Sequence, residues 1–433
     1  VKKCSRRSTT KKSIKKRLTG MNIWIFNHYA VGPGSSGGTR HYDLAKQLVQ
    51  RGHKVTIFAS SFNHQTLKEE HLNDSPKSYI EKDYNGVKFI WIKSTPYHKN
   101  DWRRVLNMLT YTIRAYRIAV KKFEKPDVVI GSLVHPLAAY LGYLISIKKN
   151  AIFYFEERDL WPQTLIDMGK FSEKNPIIWL LASIEKFLYK KSKRIILLFE
   201  KAIEYVESKG INKEKVILLP NGIDLSRFES NHELFNDLIN YLRSLNHKII
   251  AAYTGTHGMA NNLDVILDAA KILQKTVPHL HFLFVGNGPE KTRLIERTKN
   301  EKINNITFLD PQPKEFIPHI LKEVDVGLLP LKESPVFKWG ISPNKLFDYM
   351  GASLPVILLC NLDNTPVDKS KGGKVIKKDF VKGIVDFFQN TTKEELRRLG
   401  ENAYKYVVEE HNWSKLALKL EKQMLKDIED EAK

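Results

Sequence analysis

Cysteine is nearly absent: 433 residues hold two, Cys4 in a basic tail and Cys360 in an apolar run. A structural disulfide or a zinc site built on thiolates is therefore not expected. Long apolar runs are missing too. The longest strongly apolar stretch near a helical pattern, PIIWLLASI at 176–184, falls far short of the roughly 20 residues that span a bilayer. No apolar signal-peptide segment follows the basic N-terminus, so the expected location is the cytoplasm. Acid is scarce beside base: 70 Lys and Arg against 48 Asp and Glu give a formal charge of +22. That balance favours anionic partners: nucleotide phosphates, anionic lipid surfaces or nucleic acid. An aromatic stacking platform and a nucleic-acid module are both lacking, so nucleic acid is not expected as a partner. Neither a His/Cys cluster nor an Asp-x-Asp at a strand end occurs, so no metal and no cofactor is expected.

Part of the charge is concentrated in residues 1–20, which hold nine Lys and Arg and no acid. This segment reads as an upstream extension or a basic disordered arm ahead of Met21. Beyond it, apolar runs rich in β-branched and aromatic residues alternate with helical patterns. Strands are expected at Asn22–Asn27, Val55–Ser60, Val87–Ile92, Asp127–Ser132, Ile152–Glu156, Ile195–Phe199 and Val216–Leu219, with helices over Thr39–Arg51 and Arg103–Glu124. A second series follows at Ile249–Thr254, His281–Gly286, Ile306–Leu309, Val326–Leu331 and Pro355–Cys360. Its helices are expected at Asn262–Lys275, Glu290–Asn300 and Pro343–Gly351. Such alternation argues for α/β architecture with buried parallel sheets. The organisation read from it is an arm at 1–20, one doubly wound domain at 21–220, a linker region at 221–246, a second such domain at 247–412 and a C-terminal helix at 413–433.

Gly32-Pro33-Gly34-Ser35-Ser36-Gly37 literally satisfies the G-x-G-x-x-G dinucleotide pattern. A dinucleotide fold, however, turns its glycines directly off the first strand and places an acid about 20 residues on. Here four residues separate Asn27 from Gly32, and the second strand ends IFASSFNH, without an acid. A Gly-Lys-Ser/Thr sequence is also missing, so the loop is not a Walker loop. Gly37 and Gly38 do stand just before a helix, whose free N–H groups and dipole suit an anion. A flexible strand-to-helix turn would use the same glycines.

Three further segments stand in order: PNGIDLSRF at 220–228, LFVGNGPE at 283–290 and WGISPNKLFDYMGASLPVI at 339–357. Together they resemble the retaining nucleotide-sugar glycosyltransferases of family 4, and the likeness runs from about Met21 to Trp413. EERDLWPQTLIDMG at 156–169 and SPNKLFDYM resemble a narrower branch that includes bacterial N-acetylfucosamine transferases of polysaccharide biosynthesis. The resemblance implies the GT-B fold: two Rossmann-like domains facing a cleft, with the C-terminal helix crossing back.

In that family a Glu-x7-Glu pair binds the donor, the second acid holding the ribose and the first the sugar. Asp348 matches the second position, while Gly340 stands at the first and has no carboxylate. The resemblance thus implies a ribose role for Asp348 and leaves the sugar contact unassigned. Pro343 reads as the first residue of a helix, with Asn344 and Lys345 in its first turn. A lysine gains little from the dipole there, so Lys345 suits a bound diphosphate; a solvated surface lysine is the plain alternative. The Arg and Lys that many family members carry after the first strand of the second domain are missing from TGTHGMANNLD, which offers Gly255, Gly258, His257 and backbone N–H groups. His135 follows a strand end, and the resemblance implies a donor-sugar contact there. Arg158 and Asp159 follow another strand; they read equally as an acceptor or cleft pair and as an internal salt bridge. Gly286 and Gly288 are expected to allow close backbone turns.

The reading is a retaining, metal-independent glycosyltransferase of hexosyl or N-acetylhexosaminyl type. It moves a sugar from a nucleotide-diphosphate donor, UDP-linked, to a lipid-linked saccharide acceptor in surface polysaccharide biosynthesis. An anionic membrane surface is a further expected partner, reached through PIIWLLASIEKFLYKKSKR at 176–194 and peripheral at the inner face of the cell membrane; an ordinary core helix with a basic end is the alternative. Two other readings remain open at this point: a sugar-nucleotide 2-epimerase on the same fold and a non-catalytic basic binding protein.

Overall fold

The computed structural model describes residues 20–34, 38–73, 75–99, 101–122, 124–229 and 236–433. The arm expected at 1–20, apart from Gly20, and Gly37 of the glycine loop lie outside the described residues. The chain divides into two compact units. The first runs to Pro220 and takes back Trp413–Lys433; the second is Asn221–Asn412.

In the first unit the strands are β1 (Asn22–Phe26), β2 (Lys54–Ser60), the short antiparallel pair β3 (Phe62–Asn63) and β4 (Lys68–Glu69), β5 (Tyr79–Tyr84), β6 (Val87–Ile92), β7 (Val128–Leu133), β8 (Ile152–Glu157), β9 (Arg194–Leu197) and β10 (Val216–Leu218). Eight of them form one sheet in the order β10-β9-β8-β7-β1-β2-β6-β5, parallel except for β5 at the edge. The helices are α1 (Arg40–Gln50), α2 (Trp102–Lys121), α3 (Pro136–Lys149), α4 (Gln163–Asp167), α5 (Pro176–Lys191) and α6 (Ala202–Ser208). Alternate residues of β1 serve opposite faces. Ile23 and Ile25 pack with Leu44 and Leu48 of α1 and with Leu416 and Leu420 of the C-terminal helix Trp413–Ala432. Trp24 and Phe26 pack with Tyr111 of α2 and Leu141 of α3.

The C-terminal helix is tied down by charge as well. Glu421 accepts from Arg51 and, at 2.9 Å, from His53 Nε2. Asp427 accepts from Tyr154 at 2.6 Å and from Arg194 at 2.8 and 2.6 Å. Two of the cations expected to serve a membrane are therefore engaged: Arg194 with Asp427, and Lys193 with Glu431 at 3.5 Å.

The second unit holds α7 (Asn236–Ser244), β11 (Ile249–Thr254), α8 (Asp264–Thr276), β12 (Leu280–Val285), α9 (Lys291–Asn300), β13 (Ile306–Leu309), α10 (Ile317–Leu321), β14 (Val326–Pro330), α11 (Asn344–Gly351), β15 (Val356–Leu359), α12 (Pro366–Ser370), β16 (Gly373–Ile376), α13 (Phe380–Asn390) and α14 (Lys393–Glu410). Its sheet is fully parallel in the order β13-β12-β11-β14-β15-β16. Part of the stretch read as a linker is helical: Leu242 of α7 is buried in this unit's core.

Several expectations shift. Pro343 is the cap residue of α11, extended at ψ 136°, and the helix starts at Asn344. Helix α8 starts at Asp264, after Asn262 adopts a left-handed conformation with φ +44° and breaks the pattern. The edge strands β5 and β16 were not expected. The sequence of β5, YIEKDY, is largely polar because an edge strand leaves one face to water.

A buried acid pair lies where β8 meets α5. Tyr189 Oη donates to Glu157, and Tyr205 Oη donates to Glu185 at 2.7 Å. Burial raises both carboxyls, Glu185 to about 7 from an ordinary 4.5, and the proximity of Glu185 adds to the rise at Glu157. The folded chain thus keeps protons that the unfolded chain has lost. This favours folding at low pH, and the contribution disappears as pH climbs from 4.5 through 7. Glu185→Gln should match wild type near pH 4.5 and exceed it by about 2–3 kcal/mol at pH 8. Thermal unfolding across that range checks it; parallel stability curves for the two proteins would refute it.

Candidate functional site

In an open parallel sheet, ligands bind outside the carboxyl ends of the strands, where the strand order reverses. In the second unit that point lies between β11 and β14, because β11 leads outward to β12 whereas β14 leads the other way to β15. The loop leaving β11 carries Gly255, His257 and Gly258. Gly255 has φ +131°, and its N–H donates to Val285 O at 2.9 Å. The His257 N–H donates to Asn287 O at 2.9 Å, and the Glu290 N–H returns a bond to His257 O at 3.0 Å. This loop and VGNGPE therefore run backbone against backbone. A Cβ on Gly286 would collide with the Gly255 carbonyl oxygen, and one on Gly288 with that of His257. The glycines of VGNGPE are there for this approach.

The His257 side chain is fully buried, with the rings of Tyr253, Phe284 and Phe308 centred 5.9 to 6.1 Å away. Neither ring nitrogen has a hydrogen-bond partner among the described residues. Burial, then the charges of Lys291 and Lys345, hold its pKa down to about 4, so the ring is neutral at pH 7.

Lys345 reaches the same place from α11. Its Nζ donates to Tyr253 Oη at 2.9 Å, lies 4.2 Å from that ring's centroid, and would be 2.9 Å from a Cβ on Gly255. Burial alone pushes its pKa down to about 7. A half-buried ammonium held by a phenol and, among the described residues, by no carboxylate is poised for an anion.

The rest of α11 is anchored to the segment 220–228. Asn221 N–H donates to Ser342 Oγ at 3.0 Å, and Asn221 Nδ2 to Ser342 O at 2.6 Å. Arg227 Nη1 donates to Asp348 Oδ1 at 3.1 Å, and its Nη2 to Lys314 O at 2.8 Å. Asp348 is thus engaged on one oxygen by an ion pair, which the sequence reading missed. Tyr349 Oη accepts from Thr254 N–H at 2.8 Å, joining α11 to the end of β11. Gly340 has φ +117°, a conformation in which the acid usual at that position would be strained. The structure therefore brings Gly255, His257 and Lys345 together and places Asp348 one turn along the same helix, three residues past Lys345.

In the first unit the order reverses between β1 and β7. His28 follows β1, and His135 caps α3 just after β7. His28 Nδ1 and His135 Nε2 are 2.7 Å apart, both side chains are buried, and His28 Nε2 and His135 Nδ1 lack partners among the described residues. Burial depresses both rings, His135 to about 3, and the Arg104 charge adds to it. His28 is stacked on Tyr111 at 4.2 Å. The sequence reading named His135 and missed His28, although His28 carries the same signal of a histidine at a strand end.

The glycine loop's helix is held by a buried network. Glu156, the first acid of EERD, accepts from Arg40 Nε at 2.9 Å, His41 Nε2 at 2.6 Å and Ser132 Oγ at 2.6 Å. Burial alone would raise its carboxyl, but the charges of His41 and Arg40 outweigh that and hold it well below the usual range. The remaining Arg40 nitrogens donate to Pro220 O at 2.8 Å and Leu219 O at 2.7 Å. Arg40, at the first position of α1, thus fixes the helix that Gly38 precedes. Of the two readings of Arg158 and Asp159, the internal salt bridge is not formed: Asp159 is exposed, and the Arg158 Nε is buried without an acceptor among the described residues. Among the described residues no group of three His, Cys, Asp or Glu is arranged to hold a metal ion.

The glycosyltransferase family 4 model matches residues 37–227, and the model of glycosyl transferases group 1 matches residues 248–390. The chain is 20% identical over 311 residues, 70% of it and 74% of the relative, to the Escherichia coli protein named WcaI, a colanic acid biosynthesis glycosyl transferase. It is 29% identical over 196 residues to the Bacillus subtilis protein named TuaH, a teichuronic acid biosynthesis glycosyltransferase, with 45% of each chain covered. Anabaena HepE, solved in complex with UDP-glucose, superposes with a TM-score of 0.65 at 12% identity over 95% of this chain and 100% of that one. One family model falls almost wholly on the first unit and the other within the second. The chain belongs to glycosyltransferase family 4 and has the GT-B fold.

Proposed function

We propose that the chain transfers a hexosyl or N-acetylhexosaminyl group from a UDP-sugar, with retention of configuration and without a metal, to a lipid-linked saccharide during surface polysaccharide assembly. The observation that carries the reading is Lys345, an ammonium without a carboxylate partner among the described residues, at the carboxyl end of β11 beside Gly255 and His257. Relatives named for colanic and teichuronic acid synthesis and a fold neighbour solved with UDP-glucose support it.

In this reading the diphosphate lies against the β11 loop and the first turn of α11. Negative charge grows on it as the glycosidic bond breaks, and the Lys345 ammonium meets that growth. His257, neutral, donates a hydrogen bond from a ring nitrogen. The Asp348 oxygen not held by Arg227 accepts from ribose hydroxyls. In the first unit, His135 contacts the donor sugar, Arg158 and Asp159 serve the acceptor, and the N–H groups at Gly38 and the start of α1 are offered to phosphate. No side chain is assigned as a nucleophile; the acceptor hydroxyl attacks from the face that the diphosphate leaves. The enzyme works in the cytoplasm at the inner face of the cell membrane, where such an acceptor is displayed.

With a panel of UDP-sugars and extracted lipid-linked saccharide, one sugar should pass to the acceptor with its anomeric configuration kept, at a rate that EDTA leaves unchanged. Release of a free epimerised sugar without any acceptor would overturn the reading.

Lys345→Met should cut turnover at saturating donor about a hundredfold, the cost of losing one preorganised charge contact. In wild type, UDP-sugar affinity should weaken as pH rises above about 7, because the neutral amine no longer attracts the diphosphate. The variant should lose that slope, and a variant with full turnover would remove Lys345 from the mechanism.

Asp348→Ala should weaken UDP binding by about 1.5–3 kcal/mol, the range for hydrogen bonds to a charged group. Titration calorimetry reads this directly. Unchanged affinity in a folded variant would leave Asp348 only its ion pair with Arg227.

A further inference from the structure

Helix α2 carries an apolar stripe that nothing in the chain covers among the described residues. Trp102, Val105, Leu106, Leu109, Ile113 and Tyr116 are all exposed, Trp102 by 67% and Val105 by 53%. Their spacing of three and four residues puts them on one face, along a helix of about 30 Å. The opposite face is where Asn107, Tyr111, Ala115 and Ile118 enter the core. The charges on α2 are Arg103, Arg104, Arg114, Arg117 and Lys121; it has no acid. At 100° per residue, Arg103, Arg114, Arg117 and Lys121 form a row beside the stripe, while Arg104 turns inward toward Tyr29, its guanidinium carbon 5.9 Å from that ring's centroid. Along the row opens a cavity of about 590 Å³, lined by Arg114, Arg117, Lys121 and Lys122 with Glu124 as its single acid. Helix α3 packs against both α2 and α5. Helix α5, in the same layer, exposes Ile177, Trp179 and Leu180.

We infer that α2 is an interfacial helix that docks the first unit on an anionic lipid bilayer. Its apolar stripe sinks to the level of the acyl boundary, and its basic row and cavity take the headgroup phosphates. The charge selects this occupant. A second copy of the chain would bring the same cationic row with no acid on α2 to answer it, and residues 1–19 of this chain are themselves basic. A bilayer also accepts a stripe without shape complementarity, which suits six side chains of different size. The inference rests on the lipid-linked acceptor reading for its purpose but not for its geometry.

The test is co-sedimentation of the full chain with vesicles of phosphatidylglycerol and phosphatidylcholine, 30:70, and with phosphatidylcholine alone. Binding is expected to the first and to be weaker on the second, and to fall as salt rises. Leu106→Gln with Leu109→Gln and Ile113→Gln should abolish it while UDP binding, measured alongside, stays intact. Arg103→Gln with Arg117→Gln and Lys121→Gln should lower the partition constant roughly a hundredfold, at about tenfold or less per cation. A folded triple apolar variant that still sediments, or equal binding to both vesicles, would overturn the inference. So would a wild-type dimer in analytical ultracentrifugation that the apolar variant converts to monomer without any vesicle binding in either. If sugar passes only to water-soluble saccharides while vesicles still hold the wild-type chain, the acceptor reading falls and the docking face stands.

Discussion

A right-handed crossover can reach a neighbouring parallel strand only by passing over one face of the sheet, and each unit here reverses its winding once. Where connections leave adjacent strands toward opposite faces, the carboxyl ends stay open, and polar side chains there have no helix above them. His28 and His135 occupy that place in the first unit, Gly255 and His257 in the second. The two places differ in charge. In the first, burial leaves a pair of neutral imidazoles 2.7 Å apart, fit to exchange hydrogen bonds with hydroxyls. In the second, the neighbour is the ammonium of Lys345, fit for an anion. One topology thus builds two places of different charge.

The buried carboxylate of Glu156 shows how local charge makes such a place rigid. Removing a carboxylate from water costs several kcal/mol unless cations and donors surround it. Arg40, His41 and Ser132 do so from two other elements, and Arg40 spends its remaining nitrogens on the carbonyls that end the first unit's sheet. The start of α1 cannot then shift without uncovering a charge. In Asp348 the same economy is looser: one oxygen holds Arg227, half in solvent, and the helix keeps a carboxylate for use.

Much of this was legible. Parallel strands buried on both faces are written in β-branched and aromatic residues, so β1, β2, β6, β7, β8 and β11 to β15 stood out within a residue or two. The hairpin to β5 was signalled too, by Asn85-Gly86, which adopt φ +55° and +86°, but the polarity of β5 masked it. Resemblance singled out VGNGPE, PNGIDLSRF and SPNKLFDYM, and the structure joins the last two directly and sets the first against the loop after β11. Asn221 holds Ser342, Arg227 holds Asp348, and Gly288 lies on the backbone of His257. What could not be read was pairing. Nothing in the local pattern says that Arg227 engages Asp348 across 121 residues, or that Tyr253 holds Lys345. The exposed stripe of α2 was equally hidden, because its periodicity is the same whether the stripe faces a core or water.

The missing basic residues of the β11 loop also find an account. Two cations face His257, Lys291 and Lys345. Lys291 is consumed: its Nζ donates to Gly286 O and Leu309 O at 3.0 Å and pairs with Asp310 at 2.9 Å. Among the described residues Lys345 has no carboxylate partner, and burial has already brought it to the edge of neutrality. An ammonium in that condition binds its proton and an anion cooperatively, since each restores what the other needs. A diphosphate placed there would return the lysine to its charged form at neutral pH. A single lysine on α11 would in this way answer a growing negative charge without a second cation, provided nothing acidic stands close by. Gly340, which contributes no carboxylate to the segment leading into that helix, is consistent with that condition.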